Sequence, residues 1–317
     1  MMKKTLAGAL AAIIILGGSG WFYVDHRIRS EFDARLQAAV DNGSYEALYY
    51  DELSYTFSGD VSVKNLHVKQ YGTEFVLQQF QINNLDISNQ IPRDIRVHIS
   101  GMQFPNGLPD LSDTDSAALG QLLQRSIQGD TIPLELTYLH KYDPENDFQL
   151  DSSVMASIPE LMTIDFSSSM KKISLETLAD YNQNIADPVA AQFELMQMLS
   201  KGEFSSMVFS LQDSGLVQAY MDLTAEDFAV APEDYRNMLI TQARNLYLFL
   251  PQNTQGLAMN AGIQLAAFLE GGKTLTVRLQ PQFNGSIEKL QPQIMGATLT
   301  GDYNRIVELL QFELTAH

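Results

Sequence analysis

Residues 45–100, which decide the fold, read YEALYYDELSYTFSGDVSVKNLHVKQYGTEFVLQQFQINNLDISNQIPRDIRVHIS. Apolar and polar residues alternate through most of this stretch, and it is rich in Val, Ile, Phe and Tyr, which is typical of β-strands with one buried face. The turn signals Ser58-Gly59-Asp60 and Tyr71-Gly72 separate neighbouring apolar runs. We therefore predict an antiparallel meander, with strands at residues 48–57, 61–69, 73–77, 80–88 and 95–100.

The N-terminal stretch, residues 6–24, reads LAGALAAIIILGGSGWFYV and contains no charged residue. A helix of this length spans the hydrocarbon core of a bilayer, which is about 30 Å thick. Lys3 and Lys4 precede the stretch, so the positive-inside rule predicts a cytoplasmic N-terminus. We expect a single-pass protein of the bacterial inner membrane whose body lies in the periplasm.

A cleaved signal peptide is the alternative interpretation of the same stretch. Residues 1–4 would form its basic region, residues 6–16 its apolar region, and the small residues Gly17–Gly20 would precede cleavage. An A-x-A-like cleavage site is missing, and Trp21-Phe22-Tyr23 continues the apolar run. These features favour a retained anchor, and both interpretations export the body.

The composition limits the classes of function. The net charge is −18, which opposes binding to nucleic acids and to anionic membrane surfaces. The chain has no cysteine, which excludes thiol catalysis, cysteine zinc sites and a lipoprotein anchor. A hydrophobic content of 45% is enough for a packed core without disulfides.

The remainder, residues 105–317, alternates helix-like and strand-like segments. Helical patterns end at Gly129, Gly202 and Gly271, where we predict left-handed glycine caps before the next strand. The near-equal spacing of these glycines suggests a helix–strand–strand repeat. Helices are predicted at 112–128, 188–201, 232–250, 257–270 and 305–312, and strands at 132–138, 148–155, 162–173, 204–211, 216–223, 275–279 and 294–303.

These patterns together predict an α+β protein. An N-terminal transmembrane helix precedes a large curved antiparallel β-sheet with helices packed on one face. We place a transmembrane anchor at 1–24, a stalk helix at 25–43, an antiparallel β-meander at 44–104, and at 105–317 a repeated helix–strand region that continues the same sheet.

No catalytic motif is present. The five histidines are far apart and none has metal-ligand spacing. Acidic clusters at 110–115 and 143–151 lack the glycine and the final glutamate of a calcium loop, so we interpret them as a helix cap and a hairpin turn. We predict a non-enzymatic protein without catalytic residues, cofactor or metal. The histidines are His26, His67, His98, His140 and His317.

Thirteen methionines, most of them after residue 150, add adaptable apolar volume to the repeat region. They are either ordinary core residues or part of the lining of a groove for an acyl chain. If helices lie across the apolar face of the sheet, the side chains that line such a groove are Leu136, Tyr138, Met196, Phe209, Leu211, Phe268, Val277 and Leu279.

Two short patterns carry a resemblance to known families. Residues 58–66, SGDVSVKNL, and 82–87, INNLDI, together with the preceding membrane helix, resemble AsmA-like proteins of the bacterial envelope. Leu136–Tyr142, Asp143-Pro144 and Phe268–Pro281 (FLEGGKTLTVRLQP) resemble the YdgA-like family of inner-membrane-anchored periplasmic proteins. The first resemblance implies lipid transport and envelope homeostasis along an apolar groove. The second implies a fold and no catalytic residues.

Three hypotheses remain from the sequence. The first is an anchored periplasmic protein that binds lipid or another apolar ligand in envelope maintenance. The second is a structural or interaction protein that binds other envelope proteins or a second copy of itself. The third is a hydrolase with an unrecognised site. An open apolar cavity favours the first hypothesis, and an exposed apolar patch over a filled core favours the second.

Overall fold

The computed structural model describes residues 28–56, 60–83, 93–107, 121–122, 130–175, 197, 200–249, 254–281 and 286–317. Ten strands in this part of the chain form one antiparallel sheet and follow one another in chain order. The predicted α+β class with a large antiparallel sheet is confirmed, and the predicted anchor lies outside the described residues. The strands are β1 (Ala47–Tyr55), β2 (Val61–Gln70), β3 (Thr73–Asn83), β4 (Asp94–Gln103), β5 (Thr131–Asp143), β6 (Gln149–Ile158), β7 (Met162–Lys171), β8 (Glu203–Asp213), β9 (Thr274–Leu279) and β10 (Glu313–Ala316).

The contacts divide the chain into two compact units. The first unit comprises Met1–His140 with Val154–Leu161, and the second comprises Lys141–Ser153 with Met162–His317. Helices among the described residues are α1 (Ile28–Asp41), α2 (Leu216–Phe228), α3 (Pro232–Arg244), α4 (Gln255–Leu269), α5 (Ile287–Thr300) and α6 (Tyr303–Leu310), with a 3-10 helix at Leu246–Phe249.

In the first unit, strands β1–β4 bury one face of the meander. Leu66 on β2 lies opposite Leu77 on β3, and Phe80 on β3 lies opposite Ile99 on β4. None of these four side chains is more than 1% exposed. Apolar residues that face each other across neighbouring strands pack together and stabilise the sheet. The predicted meander with one buried face is therefore confirmed.

Helix α1, predicted as a stalk, packs against β1. Phe32 is fully buried and Leu36 is 4% exposed, and the Phe32 ring meets the Tyr50 ring edge-on at 5.5 Å. The Tyr50 hydroxyl donates a 2.6 Å hydrogen bond to Asp33. Burial and this contact raise the pKa of Tyr50 to about 12. The helix ends at Asp41, and Gly43, with a φ of 76°, provides the left-handed residue expected just after a helix.

A row of irregular residues crosses β1–β4. Asp51, Asn65, Gln78 and Gly101 lie opposite one another in the strand register, and φ is 50° at Asn65 and 67° at Gly101. In β2 the buried side chains are at odd-numbered positions before Asn65 and at even-numbered positions after it. The irregular residue shifts the alternation by one, and the same face of the strand therefore stays buried. The prediction of two strands at 73–77 and 80–88 was wrong because this break in alternation occurs inside one continuous strand, β3.

In the second unit, the strand predicted at 216–223 is wrong, because these residues belong to helix α2. Val217, Met221 and Ala225 follow a spacing of four residues and pack together against Tyr235 of α3. Residues four apart lie on the same face of a helix. The sequence analysis had instead predicted a strand from the alternation of apolar and polar residues in this segment. Strand β8 is therefore followed by helix α2, and strand β9 is followed by helix α5. At these two described positions a helix stands where the predicted helix–strand–strand repeat requires a second strand.

The Asp213 side chain caps the N-terminal end of α2. Its carboxylate accepts hydrogen bonds from the backbone N–H of Gly215 and of Val217, at 3.1 and 3.0 Å. We expect Asp213→Ala to lower the free energy of unfolding by about 1 kcal/mol, because two backbone donors lose their acceptor. Urea unfolding measures this change, and Ser214→Ala in the same turn serves as the control. Equal stabilities for the two variants would contradict the capping role.

The C-terminal part contains one wrong and one confirmed prediction. The strand predicted at 294–303 falls mostly within α5, which buries Leu290 and Ala297. The helix predicted at 305–312 is confirmed as α6, where Asp302 accepts a hydrogen bond from the backbone N–H of Arg305 at 3.2 Å. The sequence analysis missed β10, a four-residue strand that pairs with β9.

Candidate functional site

The candidate site is an apolar surface on β7–β9 in the second unit. Phe209 on β8 lies directly opposite Phe166 on β7 and Val277 on β9. Residues opposite one another in register point to the same side of a sheet, as do residues two apart along a strand. Three such rungs form a continuous surface, which we call the apolar strand face: Ile164, Phe166, Met207, Phe209, Leu211, Leu275, Val277 and Leu279.

Burial distinguishes this surface from the core of the first unit. Every side chain of the apolar strand face is half-buried. By contrast, Phe75 and Phe80, which lie on the apolar face of the first unit, are 1% and 0% exposed. The strands of the two units have similar alternating sequences, yet only the apolar core residues of the first unit are fully buried. The apolar strand face therefore keeps part of its surface accessible.

The opposite side of β7–β9 is polar. The hydroxyls of Ser210 and Thr276 lie 3.0 Å apart and share a hydrogen bond, and Thr163, Asp165 and Ser167 occupy the alternate positions of β7. An apolar ligand would therefore meet a suitable surface on one side only. The strands have one apolar side and one polar side because successive side chains of a strand point to opposite faces of the sheet.

The structure brings together four of the predicted groove residues: Phe209, Leu211, Val277 and Leu279 all belong to the apolar strand face. Phe268, on α4, is buried at 6% exposure. Leu136 and Tyr138 lie on the part of β5 that belongs to the first unit, and Met196 lies outside the described residues.

Sequence analysis overlooked four exposed apolar side chains on α4 and the adjoining 3-10 helix. Leu248 and Phe249 are 62% and 77% exposed, and Met259 and Ile263 are each 50% exposed. The signal was present in α4, QGLAMNAGIQLAAFL, which is apolar on almost every side. A helix of this kind is normally buried all round. We call Leu248, Phe249, Met259 and Ile263 the exposed helix patch.

Histidines of the first unit lie in polar pairs. The His67 ring stacks on Tyr49 with centroids 4.3 Å apart, and its Nε2 is 3.6 Å from Asp51 Oδ1. His98 Nε2 is 3.2 Å from Glu135 Oε2. Burial lowers the pKa of His140, and the nearby charge of Asp94 partly opposes this shift. Each histidine has its own surroundings, and the three do not form a common site.

In the predicted hairpin turn, the carboxylate of Asp143 binds the backbone of the turn itself. Strand β5 ends at Asp143, whose Oδ1 accepts a hydrogen bond from the N–H of Glu145 at 3.1 Å, and β6 begins at Gln149. The interpretation of residues 143–151 as a turn is therefore confirmed, whereas the cluster at 110–115 lies outside the described residues. Within the described ranges, no group of three or more His, Cys, Asp or Glu side chains is arranged to hold a metal ion.

Comparison with known families gives one match. A family model described as "Uncharacterized protein" matches residues 155–317, just over half of the chain. The chain belongs to this family. The matched region begins within β6 and contains β7–β10, α2–α6 and the whole apolar strand face. No curated protein matches the chain, and no solved structure does.

The described helices provide no membrane span. None of the helices in the part of the chain that the structure describes is both long enough and apolar enough to cross a bilayer. The predicted anchor at residues 6–24 lies outside that part.

Proposed function

We propose that this is a non-enzymatic protein of the bacterial inner membrane that binds lipid or another apolar ligand in envelope maintenance. Residues 6–24 would anchor it, and its body would lie in the periplasm. The proposal assigns no catalytic residue, cofactor or metal. The half-buried apolar strand face in the second unit is the observation that supports it.

The energetic argument concerns the accessible part of that face. Removing apolar surface from water is favourable by about 25 cal/mol per Å². Phe166, Phe209 and Val277 are adjacent, so an extended acyl chain lying across β7–β9 would cover their accessible surfaces together. The net charge of −18 disfavours a strongly anionic head group. An apolar chain with a neutral or zwitterionic head group fits these conditions best.

The exposed helix patch supports a second candidate function. Large apolar residues that lie close together on a surface often mark a contact with another protein, and Phe249 is 77% exposed. A structural or interaction protein of the envelope, including one that binds a second copy of itself, would cover such a patch. This alternative requires no ligand on the apolar strand face.

Native mass spectrometry of the full-length protein, extracted from membranes with a mild detergent, tests the proposal. We expect the monomer to carry extra mass from co-purifying lipid, and we expect extraction to require detergent. A ligand-free monomer would contradict the lipid proposal, and a ligand-free dimer would favour the alternative. Recovery of the protein in the soluble fraction, with a new N-terminus near Gly20 or Trp21, would show that the stretch is a cleaved signal.

A further inference from the structure

The exposed helix patch belongs to a segment of the chain that carries no charge. Between Arg244 and Glu270 the sequence contains no Asp, Glu, Lys, Arg or His in 25 residues, although 18% of the whole chain is charged. Arg244 and Glu270 form an ion pair with each other, so the charges at the two ends of the segment are neutralised. The patch therefore lies on a neutral segment of a protein whose net charge is −18.

Helix α4 is apolar on its outer side as well as on its inner side. Ala258 and Ala266 are buried, whereas Met259 and Ile263, one helical turn apart, are each 50% exposed. A surface helix normally carries charged residues on its outer side. The neighbouring helix α3, PEDYRNMLITQAR, follows this rule with four charged residues, and α4 has none. The outer side of α4 is therefore better suited to an apolar environment than to water.

The 3-10 helix adds the two most exposed side chains of the patch. Leu248 and Phe249 are 62% and 77% exposed. This short helix lies against α4, since a Cβ atom at Gly262 would be 3.5 Å from Leu246 Cβ. Leucine and phenylalanine are typical of the apolar side of helices that lie on a bilayer, where they enter the boundary between head groups and acyl chains. The composition of the patch is thus that of a membrane-contacting surface.

Charge distinguishes between the partners that could cover this patch. A second copy would bring together two bodies of net charge −18, which repel each other. Specific protein partners are commonly selected by charges complementary to those of the interface, and residues 245–269 offer none. A zwitterionic lipid bilayer has no net charge, and uncharged side chains enter it without the high cost of placing a charge in the membrane. The bilayer therefore fits the patch best.

We propose that the exposed helix patch docks on the surface of a zwitterionic lipid bilayer, with its four apolar side chains in the boundary between head groups and acyl chains. This docking rests on the proposed inner-membrane location, and it is independent of ligand binding at the apolar strand face. The second unit, which carries the apolar strand face, would then contact the membrane through its own surface and not only through the anchor.

Fluorescence quenching of the full-length protein in phosphatidylcholine vesicles tests this docking. Because the chain has no cysteine, Asn260→Cys creates a unique attachment point for a polarity-sensitive fluorophore. Asn260 is exposed and adjoins Met259, so the label reports on the patch while all four of its side chains remain. We expect lipids with a nitroxide on the acyl chain to reduce the emission about twofold, because the apolar side of an interfacial helix lies about 5–10 Å deep in the boundary region, within reach of the nitroxide.

Asn237→Cys is the matched control. Asn237 is an exposed asparagine on the neighbouring helix α3, outside the uncharged segment, and a label there should keep its emission in the presence of nitroxide lipids. A third variant adds Phe249→Ser to the labelled Asn260→Cys protein and should restore most of the lost emission. Because Phe249 is 77% exposed, this change removes apolar contact with lipid and leaves the packing of the unit unchanged.

Flotation of the vesicles measures membrane attachment separately from docking. Protein that floats with the vesicles but shows no quenching at Asn260 overturns the docking and leaves the anchor proposal intact. Equal quenching at Asn237 also overturns it, because contact with lipid would then not be specific to the patch. A blue shift at Asn260 that is insensitive to nitroxide and grows with the protein-to-lipid ratio identifies a second copy as the partner instead. Protein that does not float overturns both the docking and the anchor.

Discussion

Gly262→Ala is expected to lower the free energy of unfolding by about 3 kcal/mol, the upper end of the usual range for overpacking. A Cβ atom at Gly262 would lie 2.1 Å from the backbone carbonyl oxygen of Ala243 and 3.5 Å from Leu246 Cβ. Real Cβ atoms do not approach a backbone oxygen this closely, and the backbone of α3 cannot move aside as a flexible side chain can. The substitution must therefore push α4 away from α3.

Gly256→Ala is the control for this experiment, because Gly256 lies on the same helix and a Cβ there meets nothing within 4 Å. Alanine is the better helix former, so this variant should be unchanged or more stable by up to about 1 kcal/mol. Urea unfolding compares both variants with the unmodified protein. Equal stabilities for the two variants would show that α3 and α4 are not in close contact at Gly262.

The second prediction compares two phenylalanines, one in each unit. Phe80 is fully buried, so we expect Phe80→Ala to cost about 3–5 kcal/mol of stability. Phe209, on the apolar strand face, is only half-buried, so Phe209→Ala should cost markedly less, about 1–2 kcal/mol. If lipid binds there, Phe209→Ala should also reduce the amount of co-purifying lipid, because the acyl chain loses its central contact.

Urea unfolding and native mass spectrometry of the same preparations measure the two effects. Phe80→Ala provides the matched control, since any lipid lost from that variant would report a general loss of structure. The lipid proposal is wrong if Phe209→Ala carries a full core penalty and no lipid is detected in either the variant or the unmodified protein. In that case the interaction-protein alternative takes its place.

Local patterns in the sequence were enough to predict several elements. The alternation in residues 45–100 predicts most of the first-unit meander, because a strand exposes every second side chain to the same face. Tyr71-Gly72 predicts a tight turn, and both residues have positive φ values, 51° and 76°, which the two-residue hairpin between β2 and β3 requires. Asn42-Gly43 predicts the end of α1 for the same local reason.

Two errors arose where a local pattern has two interpretations. Residues 216–223 satisfy both a strand alternation and, through Val217 and Met221, a helical spacing. The packing of α2 against Tyr235 of α3 favours the helix. Because Tyr235 lies outside residues 216–223, the local pattern of that segment does not contain this contact. Within β3, the break at Gln78 resembles a strand boundary, and only its alignment with Asn65 and Gly101 on neighbouring strands shows that the strand continues.

The candidate site divides in the same way. Alternation was sufficient to predict that Phe209 and Leu211 share one face of their strand, and that Val277 and Leu279 share one face of theirs. The pairing of β8 with β9, which joins these residues into one surface, was decided by the tertiary structure. Their half-burial, compared with the complete burial of Phe80, was decided by the tertiary structure. Exposure of an apolar strand depends on which segments pack over it, and those contacts come from distant parts of the chain that the local pattern of the strand does not encode.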